Sequence, residues 1–287
     1  MTVAVTGATG FLGGALVRQL SVAGTPVLAV GGPRHTVNSV STSAKWLPYE
    51  RDLANLARMI AEAKPDVVVH CATHYVLLHE PTDVEPMIEA NVRLGTLILE
   101  SLGGLGTQFI NLSTYFQHQK TTTGNPTSLY AATKSAFSLI AQWYGDNTKI
   151  DVSDITLFDT YGPGDQRRKL IPRLLQCALD GETMDLRSAT TPMNLCYIDD
   201  ILAALFAVIH HRTVGAWTIR PSATVTVGEI ARTVEEVTGR SLVTAWGDAE
   251  SHAVLPSETP PDLPNWRPTV GLLDGITKCW AERRGHR

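Results

Sequence analysis

Short apolar runs alternate with amphipathic stretches along the first half of the chain. Runs rich in β-branched residues are typical of buried parallel strands, whereas Glu85–Leu102 has the spacing of an amphipathic helix. This alternation predicts an α/β fold built on a Rossmann-type doubly wound parallel sheet, with right-handed crossovers. The runs expected to form its first strands are Val3–Val5, Thr25–Val30, Trp46–Leu53 (which runs into a helix), Val67–Ala72 and Gln108–Leu112.

The second half has a less regular pattern. Ile155–Phe158 is predicted to complete the sheet, and 187–193 to be a loop. Helices are predicted over 169–179, from a cap at Asp199-Asp200 to His210, from Thr226 to about Gly239, and at the C-terminus. We therefore expect one domain over 1–158, to which a segment near 194–220 returns, and a smaller α/β domain mainly over 159–287.

Composition narrows the class of protein. The chain has 287 residues, 24 basic against 28 acidic, and a net charge of −4 without a long basic run, so we expect no nucleic-acid partner. No apolar run reaches the ~18 residues of a membrane helix. The first strand follows Met1-Thr2 directly, and the four cysteines are far apart. These features predict a cytoplasmic protein with free thiols and no membrane partner.

Three glycines follow the first strand at a spacing of three: Gly7, Gly10 and Gly13. Glycines at a strand-to-helix junction allow a tight turn and expose helix N–H groups that attract a phosphate. The spacing differs from G-x-G-x-x-G but rests on the same physics. The simpler alternative is a tight turn that binds no ligand.

The second strand ends without the acidic residue that bonds the ribose of NAD in Rossmann units. Arg34 and His35 follow instead, and they can face a 2′-phosphate, so NADPH is expected over NADH; an ordinary basic loop is the alternative. Asp52 is predicted to cap a helix and can also bond the adenine amino group. His70 and His74 lie at a strand end without a third ligand nearby, so no metal site is expected.

Tyr130 and Lys134 are four residues apart and therefore share one face of a predicted helix. A tyrosine with an ordinary pKa near ~10 releases a proton poorly at neutral pH, and a neighbouring ammonium lowers that pKa. Thr114, at the end of the preceding strand, can hydrogen-bond a substrate carbonyl. This set of residues suits the reduction of a ketone by a nicotinamide cofactor.

With these motifs the chain resembles the extended short-chain dehydrogenase/reductases, or NAD-dependent epimerase/dehydratase family, from end to end. The motifs in family order are Thr6–Gly13, Val69–Thr73, Asn91 with Gly95-Thr96, Tyr130 with Lys134, Tyr161–Asp165, Leu170–Pro172, Tyr197–Asp200 and Trp266–Pro268. The resemblance implies that Thr114, Tyr130 and Lys134 are catalytic. It also implies a homodimer, formed through the helices Glu85–Leu102 and Tyr130–Gly145.

The resemblance further implies the binding residues. Including Arg34 and His35, the expected cofactor set is Gly7, Gly10, Phe11, Leu12, Gly13, Arg34, His35, Asp52, Leu53, Ala72, Thr73, Asn91, Tyr130, Lys134 and Phe158. A nucleotide-diphosphate sugar is the expected substrate, bound mainly by the smaller substrate-binding domain over 159–287, whereas the domain over 1–158 is expected to bind NADP. The expected contacts of the sugar nucleotide are His74, Asp159, Arg168, Lys169, Leu170, Met184 and Asn194, with Arg167 as a further base in the same run. The alternative for 167–169 is a solvated charged run.

Departures from the family pattern bear on the reaction. Met193-Asn194 stand where relatives often have Arg-Asp, and Asp159 stands where many have Asn. Tyr115-Phe116 replace the Asp-Glu pair of 4,6-dehydratases, which argues against dehydration. The sequence thus predicts NADPH-dependent reduction of a nucleotide-linked 4-keto-6-deoxyhexose, with dTDP as the expected nucleotide. The alternatives are a 4-epimerase with tightly bound NAD and a non-catalytic NADP-binding regulator.

Overall fold

The computed structural model describes residues 1–31, 44–49, 52–76, 78–119, 126–247, 255–256 and 258–285. The chain divides into two compact units. Unit 1 comprises Met1–Leu157, Leu205–Thr218 and Glu258–Asp262. Unit 2 comprises Phe158–Ala204, Ile219–Ser257 and Leu263–Arg287.

The strands and helices of the described chain are named here in chain order. The strands are β1 (Val3–Thr6), β2 (Val27–Gly31), β3 (Lys45–Pro48), β4 (Val67–His70), β5 (Gln108–Thr114), β6 (Asp151–Leu157), β7 (Asp159–Tyr161), β8 (Met184–Leu186), β9 (Pro192–Tyr197), β10 (Gly215–Ile219), β11 (Thr224–Thr226) and β12 (Thr244–Trp246). The helices are α1 (Phe11–Val22), α2 (Leu53–Glu62), α3 (Val84–Ile88), α4 (Leu94–Leu102), α5 (Leu129–Asn147), α6 (Leu170–Asp180), α7 (Ile198–His211), α8 (Val227–Thr238) and α9 (Leu272–Gly285).

A seven-stranded sheet in the order β10-β6-β5-β4-β1-β2-β3 carries unit 1. The pairings from β3 across to β6 are parallel, and Val3 at the centre stands opposite Val27 on one side and Val67 on the other. Strand order reverses beside β1, so the sheet is doubly wound as predicted, and the carboxyl ends of β1 and β4 border one crevice. None of the helices in the described ranges is long and apolar enough to cross a membrane.

The edge of this sheet corrects one prediction. Ile155–Phe158 does not complete the sheet, because β10 lies outside β6 and Phe158 falls beyond the end of β6. Gln108 ties this edge together, since its side-chain amide donates to the carbonyls of Val208 and Thr213 at 3.2 and 3.3 Å. The hydrogen bond between Gln108 and Val208 joins residues 100 positions apart in sequence, so local hydrophobicity does not predict this arrangement.

The helix predicted over Glu85–Leu102 is present but is not uniform. A 3₁₀ turn over Pro81–Asp83 leads into α3, a π turn over Glu89–Arg93 follows, and α4 continues the helix. Gly95 lets α4 approach α5 closely, because a Cβ at Gly95 would overlap the ring of Phe137. The helix is therefore fixed against α5, and Asn91 lies inside its π turn.

One predicted cap is confirmed and one is wrong. Asp52 caps α2 by accepting from the Asn55 N–H at 3.0 Å. The helix start predicted at Thr226 is also confirmed, and there Thr226 forms a capping box with Glu229. Asp199 and Asp200 do not cap α7, which begins before them. The Asp200 carboxylate instead accepts from the N–H and hydroxyl of Thr269 and from the N–H of Val270 at 2.8–3.0 Å.

Unit 2 contains two small sheets, ordered β11-β9-β7 and β12-β8. The loop predicted over 187–193 is wrong at its C-terminal end, because β9 already begins at Pro192. There, Met193 pairs with Val225 of β11, so a partner distant in sequence imposes the extended conformation. All four cysteines are free thiols, as expected.

Candidate active site

The glycine loop joins β1 to α1 in unit 1. Gly7 has a φ of +64°, and a Cβ there would lie 2.8 Å from the backbone nitrogen of Ala72. A Cβ at Gly13 would overlap the carbonyl of Gly7. Only glycine satisfies both positions, so the loop brings bare backbone up to the start of the helix.

The N-terminal end of α1 fits an anionic group. Gly10 is its N-cap and supplies no side-chain cap, and the first turn contains no acidic residue. The partial positive charge of the helix end is therefore not neutralised by its own side chains. Phe11 and Leu12 open this turn and are half-buried, so the predicted pyrophosphate contacts lie together at one helix end.

A buried hydrogen-bonded chain supports the loop from beneath. The Thr6 hydroxyl accepts from the Ala72 N–H at 3.2 Å and shares a 2.9 Å hydrogen bond with His70 Nδ1. Burial, followed by the positive charge of Lys134, lowers the pKa of His70 to about 3, so its ring is neutral. His70 Nε2 is buried without a hydrogen-bond partner among the described residues. His70 thus holds the end of β4 beside the loop.

Asn91 is fully buried and clamps the segment after β4. Its Oδ1 accepts from the Thr73 hydroxyl at 2.9 Å and the His74 N–H at 2.8 Å, and its Nδ2 donates to the His74 carbonyl at 3.1 Å and the Thr133 hydroxyl at 3.0 Å. These bonds use the full capacity of an amide. The expectation that the Asn91 side chain itself contacts a cofactor does not fit this arrangement. It links Thr73 and His74 to α5 instead.

The three predicted catalytic residues lie in unit 1 on β5 and α5. Thr114 ends β5 and is 7% exposed. Tyr130 and Lys134 lie one turn apart on α5, which starts at a Ser128 cap, and they are 7% and 2% exposed. The helix and the strand end thus present a hydroxyl, a phenol and an amine from a rigid framework.

Burial governs the charge of Lys134. Removal from water lowers its pKa to about 8, and the negative charge of Asp154 opposes this shift. The amine therefore carries its proton at neutral pH. Asp154 is held in turn by the Asn111 amide, which donates to it at 2.7 Å. Sequence reasoning missed Asp154; its only signal was an acidic residue in the middle of a strand.

Aromatic rings surround the phenol. The ring of Tyr75 meets that of Tyr130 edge-on at 4.9 Å between centroids, and Phe116 lies 6.4 Å from Tyr130. Tyr75 was not predicted as a site residue, because a single tyrosine after a strand has no distinguishing pattern.

The remaining cofactor predictions divide by location. In unit 1, Leu53 is wholly buried in the core, while Asp52 is exposed. Arg34 and His35 lie outside the described residues. Phe158 belongs to unit 2, where it is 4% exposed and the Arg220 guanidinium lies 5.5 Å above its ring.

The predicted substrate residues, apart from His74, belong to unit 2, where several are already engaged. His74, in unit 1, is 3.1 Å from Asp83. Lys169 pairs with Asp159 at 3.0 Å, and Asn194 accepts from the Thr224 hydroxyl at 2.8 Å. The two apolar members of the set differ in burial, since Leu170 is half-buried and Met184 is buried.

Two adjacent arginines of unit 2 differ sharply. Arg167 donates to the buried Asp165 carboxylate through Nε and Nη2 at 2.8 and 2.9 Å, and also to the Thr160 carbonyl. Arg168 is exposed and, within the described ranges, has no ion-pair partner. Of the three consecutive bases, only Arg168 is left uncommitted by the fold.

The chain is similar in sequence to a known protein family. The profile of the NAD dependent epimerase/dehydratase family matches residues 3–219. The CDP-abequose synthase of Yersinia pseudotuberculosis is 26% identical over 214 residues, covering 73% of this chain and 73% of that protein. The dTDP-glucose 4,6-dehydratase of Streptomyces griseus is 25% identical over 313 residues, covering 99% and 94%.

A solved structure of similar fold is the Thermus thermophilus UDP-glucose 4-epimerase in complex with NAD. Its TM-score is 0.85 at 21% sequence identity, with 100% of both chains covered. The family profile, which spans well over half of the sequence, agrees with the motifs read from the residues. The chain therefore belongs to the NAD dependent epimerase/dehydratase family.

Proposed function

We propose that this chain reduces the 4-keto group of a nucleotide-activated 4-keto-6-deoxyhexose with NADPH, and that dTDP is the nucleotide. The observation that carries the proposal is the set Thr114, Tyr130 and Lys134, all three buried, on β5 and α5. In the sequence, Thr114 is followed by Tyr115 and Phe116. Dehydration needs an acid and a base at those last two positions, and aromatic side chains supply neither.

The residues present fit a nicotinamide dinucleotide. The cradle of Gly7, Gly10 and Gly13 leaves no room for side chains, and the end of α1 attracts a diphosphate. Asp52 would lie by the adenine, and Ala72 and Thr73 would line the cofactor. When bound, the reduced cofactor supplies hydride to the carbonyl carbon. The NADPH preference rests on Arg34 and His35.

The side chains of the site divide the remaining work. The Tyr130 phenol protonates the carbonyl oxygen as the carbon is reduced, and the Lys134 ammonium stabilises the phenolate that forms. The Thr114 hydroxyl donates a hydrogen bond that holds the carbonyl in place. Burial of all three residues keeps bulk water from competing for the proton.

The substrate proposal draws on unit 2 and on the relatives. Arg168 is the uncommitted base of the run 167–169, and we assign it to the diphosphate of the sugar nucleotide, in place of the arginine missing at Met193. The names of two relatives, a CDP-abequose synthase and a dTDP-glucose 4,6-dehydratase, support a nucleotide-linked deoxysugar. Comparing CDP with dTDP therefore belongs in the test.

A homodimer is part of the proposal. Helices α3 and α5 expose large apolar side chains that a second copy would cover. These are Val84, Ile88, Leu139 and Trp143, with 39, 43, 69 and 57% of their surfaces exposed.

A 4-epimerase is the second candidate. Its reaction uses the same phenol, lysine and hydroxyl, and the aromatic residues after Thr114 suit it equally. It would keep NAD tightly bound and need no net reductant. A non-catalytic NADP-binding regulator is the third candidate, but the complete catalytic set counts against it.

The test is consumption of NADPH with 4-keto-6-deoxyhexoses linked to dTDP and to CDP. Steady oxidation of NADPH, followed by its absorbance, supports the reductase. A 4-keto sugar has no configuration at carbon 4 to invert, so the epimerase is tested with 4-hydroxy nucleotide sugars. Their interconversion without consumption of cofactor supports the epimerase, and the absence of both reactions supports the regulator. Tyr130→Phe is the control variant: we expect it to lose roughly 10²–10⁴-fold in turnover while NADPH binding persists. Unchanged turnover in this variant would refute the assigned acid.

A further inference from the structure

Three aromatic rings form one group beside the Tyr130 phenol, and we name Tyr75, Tyr115 and Phe116 the aromatic wall. Tyr115 and Phe116 stack at 4.3 Å between centroids. Tyr75 lies 6.3 Å from Phe116 and meets Tyr130 edge-on at 4.9 Å. The four rings are therefore one continuous cluster that includes the proposed acid.

Exposure shows that the wall is more than core packing. Tyr115 is 7% exposed and serves as its buried base. Tyr75 is 39% exposed, and Phe116 is half-buried. Both rings therefore keep solvent-accessible surface next to the proposed acid, Tyr130.

The wall lies within reach of a substrate that reacts at Tyr130. A carbonyl oxygen that takes the phenol proton lies about 2.6–3.2 Å from the phenol oxygen. The carbons that flank the carbonyl, and their substituents, then lie at distances from the phenol comparable with those of the wall, since the ring centroids of Tyr75 and Phe116 are 4.9 and 6.4 Å from that of Tyr130. The wall is therefore placed to sense whether a flanking substituent is a methyl or a hydroxymethyl group.

We propose that Tyr75 and Phe116 are specificity-determining residues that pack against the 6-methyl group of the sugar and disfavour a 6-hydroxyl; this rests on the function proposed above. Aromatic surface gains free energy by covering a methyl group. A hydroxyl pressed against the same surface loses its water without a matching partner. The wall thus selects deoxygenated hexoses at the position where dehydratases place charged catalytic groups.

The experiment compares two nucleotide sugars that differ only in the hydroxyl on carbon 6. Each sugar is offered in its dTDP and its CDP form. The reaction is run in the direction that oxidises the sugar, and the reduction of NADP is followed. For the unmodified protein we expect kcat/KM to favour the 6-deoxy sugar by roughly 10–200-fold, the range of one such group in an apolar pocket. Tyr75→Ala and Phe116→Ala should bring the two sugars within about threefold of each other.

Two further variants distinguish a specific effect of the aromatic wall from a general loss of structure. Tyr75→Phe keeps the ring and should keep the preference, which distinguishes packing from hydrogen bonding by the Tyr75 hydroxyl. Trp246→Ala removes an aromatic of equal exposure, 39%, on β12 and should leave the preference unchanged. Thermal unfolding of every variant, monitored by circular dichroism, shows whether the alanine variants are folded.

Binding of both sugars to Tyr130→Phe, measured by calorimetry, tests the wall independently of turnover. A binding preference for the 6-deoxy sugar without turnover of either sugar by the unmodified protein would support the wall and overturn the proposed reaction. Equal affinities in Tyr130→Phe, or a preference that survives in both alanine variants, would overturn the wall.

Discussion

Lys134 in unit 1 and the neighbouring bases Arg167 and Lys169 in unit 2 are held in opposite ways. In unit 1, Lys134 is 2% exposed, and burial outweighs the nearby negative charge of Asp154, so its pKa falls to about 8. In unit 2, Lys169 and Arg167 are paired at 3.0 and 2.8 Å with Asp159 and Asp165. An ammonium held in a dry site is available for chemistry but destabilises the fold, whereas a paired base stabilises local structure and is unavailable to a ligand.

Lys134→Met gives the largest expected effect, because it removes both features of the buried amine. Turnover should fall by at least about 100-fold, since the phenolate loses its cation. The free energy of unfolding at pH 7 should rise, on the order of 3 kcal/mol, because a pKa lowered from 10.5 to about 8 measures how strongly the fold disfavours the ammonium.

The pH dependence of stability provides the check on Lys134. Between pH 8 and about 10.4 the unfolded chain binds the lysine proton and the folded chain does not, so this group makes stability rise with pH over that window. Urea unfolding at about pH 7 and about pH 9.5 should show the rise for the unmodified protein relative to Lys134→Met. The matched control is Lys149→Met, an exposed lysine beyond α5. A destabilised Lys134→Met at pH 7 would contradict the argument.

Asn91→Leu tests the polar clamp of unit 1, with a smaller expected effect on function. It removes four hydrogen bonds to Thr73, His74 and Thr133, worth about 0.5–1.5 kcal/mol each, so we expect a loss of about 2–6 kcal/mol in stability. NADPH affinity should fall as well, because the segment after β4 loosens. Denaturant unfolding and fluorescence titration measure the two effects. Asn147→Leu, exposed at the end of α5, should change neither.

The adjacent arginines of unit 2 give the smallest expected effects and an internal comparison. Arg167→Ala should cost about 1–3 kcal/mol of stability, because the buried Asp165 carboxylate loses its donors. Arg168→Ala should change stability by at most about 0.5 kcal/mol and raise KM for the nucleotide sugar. Thermal unfolding and steady-state kinetics on both variants measure this. The reverse assignment of stability and KM would show that Arg167, not Arg168, meets the substrate.

Features encoded within a few residues were predictable from the sequence. The apolar runs of β1, β2, β4 and β5, the glycine loop, the cap at Asp52 and the helix start at Thr226 depend on neighbouring residues, and the structure has them. The spacing of Tyr130 and Lys134 depends only on α-helical geometry. Each of these features follows from local sterics and periodicity.

Features that depend on distant partners were not predictable. β10 is an edge strand only because β6 lies beside it, and Asp200 serves segment 269–270 although its position at a helix start suggested a cap. The four hydrogen bonds of Asn91 require its own helix, the segment after β4 and α5 to come together. The pKa of Lys134 depends on burial in the folded state. Local sequence determines none of these contacts between distant segments.

The π turn over Glu89–Arg93 sets the angular phase of the helix that contains it. A π turn carries one residue more than an α-helical turn, and each α-helical residue advances by about 100°. Deleting a residue there would swing Val84 and Ile88 about a quarter of a circle relative to α4, whose own orientation is locked by Gly95 against Phe137. The additional residue thus lets one helix turn Asn91 toward Thr73 while Val84 and Ile88 stay exposed, and alignments with relatives should keep their gaps out of this turn.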